Sequence, residues 1–308
     1  MKSTTLSDAD RIAMLSLPSH PVRAVLDTDT FNEIDDQFAV VQALLSPERI
    51  RLEAIYAAPF QNARAEGPGR GMLLSHEEIL RLLERIGRRP EGFVFKGVSE
   101  FVGADKKPRR GDAVDDLIAR ARTGSRSAPL YVIAIAAISN VASALLAAPD
   151  IADRVVVVWL GGHALHWPDT REFNLRQDVG GAQVLLDSGV PLVLVPCMGV
   201  TSHLHASVPE IERYVEPCGA IGAFLASRFK DYSSEHTGWS KELWDMAPIG
   251  WLLDAECAPS VLVPTPILSD SVTWSFDGAR HSMRYVTHVR RNPIMTDFYR
   301  KLEAFAIT

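Results

Sequence analysis

The sequence predicts a single α/β domain, Rossmann-like, with a mainly parallel (mixed) sheet and helices on both faces. Three observations support this fold class. Short apolar runs rich in β-branched residues alternate with stretches of helical periodicity, which is the pattern of βαβ units. The run VVVVWL at 155–160 shows no polar alternation, as expected of a strand buried on both faces. The 308 residues contain no linker, repeat or low-complexity tract, so we expect one domain over 1–308.

Strands and helices are expected to alternate over the first two thirds of the chain. The strands are predicted from compact apolar runs at 22–26, 52–57, 93–95, 130–135, 154–159 and 192–195. The helices are predicted from longer stretches of mixed polarity at 34–45, 71–86, 113–121, 139–147 and 179–188.

One uncharged stretch, 130–148, is long enough to suggest a membrane-spanning helix. However, Pro129 and Pro149 bracket it, and Ser139 and Asn140 interrupt it near the middle. We therefore interpret it as a buried strand, a turn and an amphipathic helix, and we expect no membrane partner. The first 20 residues carry charges and only a short apolar run, so we do not expect an export signal.

After Pro196 the pattern changes. Helical periodicity at 209–254 is followed by apolar runs at 261–267, 272–276 and 283–289 and by a closing helix at 292–307. Asp277 and Gly278 separate the last two runs and form a dipeptide typical of hairpin turns. These two runs are therefore expected to pair as antiparallel strands.

Composition excludes several classes of partner. Lys and Arg number 32 against 38 Asp and Glu, giving a net charge of −6 and no general attraction to nucleic acid or anionic membranes. Cys197, Cys218 and Cys257 are too few and too widely spaced for a disulfide framework or a zinc knuckle. This cysteine usage predicts a reducing compartment, the cytoplasm.

The strongest functional signal is the acidic segment AVLDTDTFNEIDDQFAV. Asp27 and Asp29 lie on one side of a strand end, because strand side chains alternate. Asp35 and Asp36 open the next helix, where they could simply favour its positive end, and Glu33 precedes them. Ligands bind at this edge of an open α/β sheet. A divalent cation would relieve the repulsion, and an all-oxygen ligand set favours Ca²⁺ or Mg²⁺ over zinc.

The same segment leaves a second enzyme class open. DTDT is similar to the DxD motif of haloacid-dehalogenase-type phosphohydrolases, in which the first Asp is a nucleophile. Those proteins have Thr or Val where this chain has Phe31, and they need a late acidic pair after another strand. The Gly-Asp pair here, Gly111-Asp112, instead opens a mid-chain helix. A metal-dependent phosphohydrolase is therefore the alternative enzyme.

Polar residues also follow the strand at 154–159. Gly161 and Gly162 at its end allow a close approach of backbone to a ligand. Farther along, Glu172 and Asn174 flank a phenylalanine. A carboxylate and an amide on one extended edge suit paired sugar hydroxyls, since Glu accepts and Asn both donates and accepts.

Near the end of the helical region, Asp245 precedes a strongly apolar helix. The acidic turn, the GG…EFN loop and this late acid occur in an order that resembles the inosine–uridine-preferring nucleoside hydrolase family. The resemblance covers nearly the whole chain. It implies the nucleoside hydrolase fold and calcium-dependent hydrolysis of the N-glycosidic bond of ribonucleosides. It also implies a role in purine and pyrimidine salvage, and a homodimer or homotetramer.

The resemblance further implies roles for individual residues. Asp29 would be both a calcium ligand and the general base that acts on metal-activated water. The other implied calcium ligands are Asp36, Asp245 and the backbone carbonyl of Ile135. The implied substrate contacts are Asp35, Asn62, Leu160, His166, Glu172, Asn174 and Trp244. Asp27 would support the site from behind.

This chemistry fits the residue types. Cleavage of an N-glycosidic bond passes through an oxocarbenium-like state, as in O-glycoside hydrolysis, and nearby carboxylates stabilise its positive charge. One departure is that five residues, TFNEI, separate Asp29 from Asp35, where the family has three. A catalytically weakened ribose- or nucleoside-binding protein of the same fold is therefore the third alternative.

The second departure concerns the leaving group. Trp244 stands where several family members carry a histidine proposed as general acid. Indole does not donate a proton at neutral pH. We expect this role to be taken by one of two groups, a base-stacking cage of Trp244, Trp167 and Phe31 or a histidine, His166 or His236.

Overall fold

Among residues 6–17 and 21–307, which the computed structural model describes, eight of twelve strands form one central sheet. The strands are β1 (Val22–Thr28), β2 (Ile50–Ala57), β3 (Val94–Lys96), β4 (Leu130–Ile135), β5 (Val155–Leu160), β6 (Leu192–Val195), β7 (His205–Ser207), β8 (Ser240–Glu242), β9 (Ser260–Pro264), β10 (Ile267–Leu268), β11 (Trp274–Ser275) and β12 (Ser282–Val286). The order in the sheet is β3-β2-β1-β4-β5-β6-β12-β9. All neighbouring pairs are parallel except the edge pair of β12 and β9.

Helices cover this sheet in two groups. In the described part of the chain they are α1 (Asp8–Met14), α2 (Asp35–Leu44), α3 (Pro68–Ile86), α4 (Asp112–Arg122), α5 (Ser139–Ala147), α6 (Phe173–Gln177), α7 (Val179–Asp187), α8 (Val208–Tyr214), α9 (Gly219–Asp231), α10 (Met246–Leu253) and α11 (Arg291–Ile307). Helices α4, α5 and α7 pack on one another, while α2 contacts α3 and α10, and α10 contacts α11. Every residue of β4 and β5 is buried, so both faces of the sheet centre are covered.

The single mainly parallel α/β domain predicted from the sequence is confirmed. Each predicted strand and helix up to residue 195 is present, with ends within three residues of the prediction. The uncharged stretch at 130–148 is strand β4 followed by helix α5, as interpreted. In the described part of the chain no helix has both the length and the apolar character needed to cross a bilayer. Residues 1–5 and 18–20 of the N-terminal segment, together with 308, lie outside the described residues.

Two predictions for the C-terminal third are wrong. The helical region 209–254 is divided among α8, α9 and α10, and β8 within it pairs with β7. Asp277 and Gly278 lie in a turn, but β11 pairs with β10 and β12 pairs with β6 and β9. The reason is burial: Met283 of β12 is fully buried between its two neighbours, whereas Phe276 beside β11 is 63% exposed. The strand with the buried methionine therefore enters the sheet, and the dipeptide is left in a surface loop.

Candidate active site

A cavity of about 340 Å³ opens at the carboxyl edge of the sheet, beyond β1, β4, β5 and β6. These strands are neighbours, and the chain changes direction across the sheet between β1 and β4. In open α/β sheets ligands bind in the crevice at such a switch point, and this volume suits a small molecule. The lining residues are Asp29, Asn32, Glu33, Asp35, Asp36, Ile135, Leu160, His163, Arg171, Glu172, Phe173, Asn174, Arg176, Cys197, Met198, Trp244 and Asp245.

Three aspartates form a compact cluster at the buried end of this cavity. Asp35 and Asp36 lie in the first turn of α2, and Asp245 immediately precedes α10. Because α2 and α10 pack together, one carboxylate oxygen of each lies within 4.8 Å of the other two. All three side chains are buried. The fold thus joins the acidic turn to a residue from the far end of the chain.

Asp29 lines the same cavity from the end of β1. It is buried, and its Oδ2 atom has no hydrogen-bond partner among the described residues. Burial, reinforced by the neighbouring Asp36 and Asp35, raises its pKa well above the usual range. Burial and neighbouring acids likewise raise the pKa values of Asp36 and Asp245. The pKa of Asp35 rises to about 6, because burial outweighs the nearby Lys241.

This cluster has the properties of a divalent-cation site. Four acids that burial and mutual repulsion hold at raised pKa are neutralised most effectively by a cation. Their donors are all oxygens, which is the preference of Ca²⁺ and Mg²⁺, and Oδ2 of Asp29 is free to ligate. Ile135, at the end of β4, lines the cavity beside them.

Asp27 lies behind the cluster and does not line the cavity. Its Oδ1 accepts a hydrogen bond from Asn140 Nδ2 at 2.7 Å. Burial raises its pKa to about 7, and the bond from Asn140 opposes that shift. Next to it, the hydroxyl of Thr28 donates to Asp36. Strand β1 therefore supports the carboxylates of α2 from below.

In the GG…EFN loop, the side chain of Glu172 joins the two ends of the loop by hydrogen bonds. Glu172 caps α6, and its carboxylate accepts from the backbone N–H groups of Gly162 at 2.9 Å, Asn174 at 2.8 Å and Leu175 at 2.9 Å. Gly162 has a φ of +70°, and a Cβ there would lie 2.5 Å from the Thr170 hydroxyl. Glycine is therefore required where the loop turns back.

Asn174 and Leu160, both predicted from the resemblance, meet at the same wall. The Asn174 Nδ2 group donates to the Leu160 carbonyl at 3.2 Å, and both residues line the cavity. Asn62 does not line the cavity but lies behind Asn32, and its Nδ2 donates to Asn32 Oδ1 at 2.7 Å. Asn32 is the residue of this pair that lines the cavity.

The residues expected to serve the leaving group are not brought together. Trp244 lines the cavity, but Trp167 is 40% exposed and lies outside it. Phe31 lies under the guanidinium of Arg228 in a separate small cavity. The three aromatic side chains therefore form no cage. His166 and His236 are exposed and also lie outside the cavity, whereas His163 lines it.

Lys241 is a neighbour of the site that sequence reasoning missed. It lies on β8 with a side chain that is only 9% exposed, and its Nζ is 2.5 Å from Oε2 of Glu33. Burial alone would lower the pKa of Lys241, but Asp35 and Glu33 raise it above the usual range. Nothing in the sequence around Lys241 signals this role, because the contact depends on β7 and β8 folding back toward the acidic turn.

His163, which directly follows the two glycines, is one of several histidines that could serve as an acid, but its place in the cavity was not predicted. Arg171 and Arg176 were missed, although they flank EFN and extending that motif by two residues would have found them. Cys197 and Met198 follow β6, whose end was predicted but given no role.

Comparison with known proteins agrees with this geometry. A family model described as "Inosine-uridine preferring nucleoside hydrolase" matches residues 24–290. The pyrimidine-specific ribonucleoside hydrolase RihA of Salmonella schwarzengrund (strain CVM19633) is 26% identical over 258 residues, which cover 74% of this chain and 78% of that protein.

Two solved structures share the fold. A plant nucleoside hydrolase, PpNRh1, superposes with a TM-score of 0.72 at 18% identity, over 92% of this chain and 99% of that one. A purine-preferring ribonucleoside hydrolase from Gardnerella vaginalis superposes with a TM-score of 0.69 at 20% identity, over the same shares. The family match includes the acidic turn, which sets the phosphohydrolase alternative aside. The chain therefore belongs to the inosine-uridine preferring nucleoside hydrolase family, hydrolases that act on the N-glycosyl bonds of nucleosides.

Proposed function

We propose that this enzyme hydrolyses the N-glycosidic bond of ribonucleosides to ribose and free nucleobase, that it depends on Ca²⁺, and that Asp29 is its general base. The observation that carries the proposal is one cavity with four buried aspartates at its inner end and Glu172 and Asn174 on its wall. In such a cavity a cation can bind to the aspartates while a sugar binds beside it, against Glu172 and Asn174.

In this proposal Asp29, Asp36, Asp245 and the Ile135 carbonyl hold the calcium ion. When bound, the ion lowers the pKa of a water molecule and holds the sugar diol. Asp35, whose charge the nearby Lys241 partly offsets, accepts a hydrogen bond from a ribose hydroxyl.

The protein groups supply the remaining chemistry. The carboxylate of Asp29 takes a proton from the water that attacks the anomeric carbon. The surrounding carboxylates, which are buried, stabilise the positive charge that develops on the ribosyl ring. Glu172 and Asn174 hold other sugar hydroxyls, and their links to Gly162 and Leu160 keep them in place before substrate arrives.

We assign the leaving-group donor to His163. Its backbone N–H donates to Thr170 Oγ1 at 2.9 Å, and its carbonyl accepts from Trp274 Nε1 at 3.1 Å. Its Nδ1 accepts from the backbone N–H of Met198 at 3.3 Å, which leaves the proton of the neutral ring on Nε2. Burial lowers the pKa of His163, which favours this neutral form. A fixed Nε2–H group on the cavity wall can stabilise a departing nucleobase by a hydrogen bond, without transferring its own proton.

Replacing His163 by asparagine is expected to lower kcat on natural nucleosides by about 10²-fold, the lower end for loss of one preorganised hydrogen-bond donor. On p-nitrophenyl riboside, whose leaving group needs no proton, the loss should be small. His163→Gln should recover part of the nucleoside rate, because a glutamine amide reaches the position of Nε2. His288→Ala, an exposed histidine outside the cavity, is the control. Equal losses on both substrates would show that His163 does not serve the leaving group.

A substrate panel tests the reaction itself. The purified enzyme is assayed for free base from inosine, guanosine, uridine and cytidine, after chelation with EGTA and after addition of Ca²⁺ or Mg²⁺. We expect release of base that EGTA abolishes and Ca²⁺ restores. Release of phosphate from an aryl phosphate without cleavage of any riboside would refute the proposal. Tight nucleoside binding without release of base would favour the binding-protein alternative.

We also propose that the enzyme acts in nucleoside salvage in the cytoplasm, as a homodimer or homotetramer. Cys197, Cys218 and Cys257 are buried and none is disulfide-bonded, which suits a reducing compartment. The edge strand β9 carries the exposed apolar side chains of Val261 and Leu262, and a second copy could cover this edge. Light scattering on the purified protein would give the number of chains.

A further inference from the structure

Lys241, a buried lysine on β8, lies next to the acidic turn without lining the active-site cavity. Lysine is almost never buried unless its charge is paired, because the ammonium group loses its hydration. Here Oε2 of Glu33 lies 2.5 Å from Lys241 Nζ, and Oε2 of Glu242 lies 3.7 Å away. Buried ion pairs seldom stabilise a fold more than apolar side chains of the same volume. The place of this lysine therefore needs an explanation other than stability.

The ammonium group of Lys241 also acts on Asp35. Among the acids around Lys241, Asp35 contributes most to raising the pKa of the lysine. In return, Lys241 opposes the rise that burial causes in the pKa of Asp35, whereas Glu33 adds to that rise. Lys241 thus offsets the repulsion between two carboxylates that are two residues apart in one turn.

A series of contacts fixes Lys241 in this position. Its Nζ lies 5.4 Å from the centroid of the Tyr232 ring, which directly follows α9, and the guanidinium of Arg64 lies 5.5 Å from the same centroid. The backbone N–H of Arg64 donates to Asn62 Oδ1 at 2.8 Å, and Asn62 Nδ2 donates to Asn32 Oδ1. The series therefore begins and ends at neighbouring residues of the acidic turn.

The acidic turn separates two cavities. Glu33 lines the active-site cavity and also a separate cavity of about 100 Å³, which Arg64 and Tyr232 line as well. A segment with space on both sides is not fixed by packing alone. The direction of its carboxylates therefore depends on the charges around them, and Lys241 is the buried cation beside them.

We propose that Lys241 is a positioning residue, which holds Asp35 against a ribose hydroxyl and thereby sets the preference for ribosides over deoxyribosides. The proposal rests on the proposed function, in which Asp35 accepts a hydrogen bond from that hydroxyl. Lys241 itself contacts neither the substrate nor the ion, because it lies outside the cavity lining. Without its charge, repulsion from Glu33 turns the Asp35 carboxylate away from the sugar.

The test compares Lys241→Met with the wild type on inosine and on its 2′-deoxy, 3′-deoxy and 5′-deoxy forms at saturating Ca²⁺. On inosine the variant should lose about 10–100-fold in kcat/KM, the range for loss of a hydrogen bond to a charged group. The 5′-deoxy form should show the same loss, because Glu172 and Asn174, not Asp35, hold the 5′ hydroxyl. Of the other two forms, the one that lacks the hydroxyl bound by Asp35 should be almost unaffected.

Calcium binding separates positioning from damage to the fold. In the proposed function Asp29, Asp36 and Asp245 hold the ion, and Lys241 adds a positive charge near them. Calorimetric titration should therefore show that Lys241→Met binds Ca²⁺ as tightly as the wild type or more tightly. Weaker binding would overturn the inference, because the variant would then have disturbed the whole acidic cluster.

Two further variants at the same position extend the test. Lys241→Gln is neutral but still offers a donor to Glu33, so it should fold and show the same substrate pattern even if Lys241→Met does not fold. Lys241→Arg keeps the charge and should recover part of the rate on inosine. An arginine variant no better than the glutamine variant would count against a role of the charge.

Lys301→Met is the matched control. The side chain of Lys301 is 18% exposed, pairs with Glu48 at 2.7 Å and lies outside the active-site cavity. Its loss should leave the kinetics of all four substrates unchanged. If Lys241→Met lost the same factor on all four substrates, or none on inosine, the inference would be wrong and the proposed function would stand. A wild type that cleaves no riboside would refute the proposed function, and this inference with it.

Discussion

Asparagine in place of Asp29 is expected to lower kcat on ribonucleosides by about 10²–10⁴-fold, the range for loss of a general base. The substitution keeps the shape of the side chain but removes its ability to take a proton. It also removes one of several buried like charges, so thermal stability measured without calcium should stay the same or rise. Steady-state rates at saturating Ca²⁺, circular dichroism and a thermal melt check the three parts of the prediction.

A second buried aspartate provides the control. Asp178 caps α7 and accepts from the backbone N–H groups of Gly181, Val102 and Gly103 and from the Ser139 hydroxyl. Asp178→Asn should therefore destabilise the fold by about 1–3 kcal/mol, because it replaces an acceptor of several hydrogen bonds. Its kcat per folded molecule should remain in the wild-type range. If Asp29→Asn kept the wild-type rate at saturating calcium, Asp29 would not be the base.

The parts of the fold that sequence reasoning predicted depend on local pattern. Strands β4 and β5 are buried on both faces, so their sequences are continuous apolar runs with clear ends. The acidic turn was recognisable because its carboxylates are close in sequence and follow β1 directly. Because the strand end leads directly into a helix, the carboxylates of the acidic turn must lie at the sheet edge. Their closeness there makes them repel one another.

The parts that could not be predicted depend on contacts between distant segments. The aromatic cage failed because Phe31 and Trp167 are near site residues in sequence yet lie outside the cavity. Proximity along the chain does not fix the direction of a side chain in an irregular loop. The proposed hairpin failed because competition between distant strands for the sheet edge outweighed a favourable turn dipeptide.

The longer acidic turn illustrates how tertiary contacts accommodate a local departure. Its two additional residues could reposition Asp29 relative to Asp35. Instead the backbone N–H of Asn32 donates to the carbonyl of Asp29 at 2.7 Å, and Glu33 pairs with the buried Lys241. The first of these contacts folds the turn back on itself, and the ion pair with Lys241 anchors it to strand β8. Asp29 and Asp35 therefore line the same cavity despite the extra length.

Asp36→Asn is expected to abolish calcium binding and nucleoside hydrolysis while making the calcium-free protein more stable. Asp36 lies within 4.8 Å of Asp35 and Asp245 through its carboxylate oxygens, and all three are buried. Without a cation, removing one charge relieves repulsion and the cost of burial, and the amide can still accept from Thr28. With calcium, the wild type should gain about 2.7 kcal/mol of unfolding free energy at 100 times the dissociation constant. The variant should gain almost none.

A helix-start acid outside the cavity separates this explanation from simple helix capping. Asp112 occupies the first turn of α4 and is exposed, as an acid that only favours a helix N-terminus would be. Asp112→Asn should slightly lower the melting temperature, since an acid there contributes about 0.3–1 kcal/mol, and should keep the full response to calcium. Calorimetric titration with Ca²⁺ and thermal melts of both variants provide the comparison. If Asp36→Asn lowered the calcium-free melting temperature as Asp112→Asn does and still bound calcium, Asp36 would be a helix-stabilising acid and the cation would lie elsewhere.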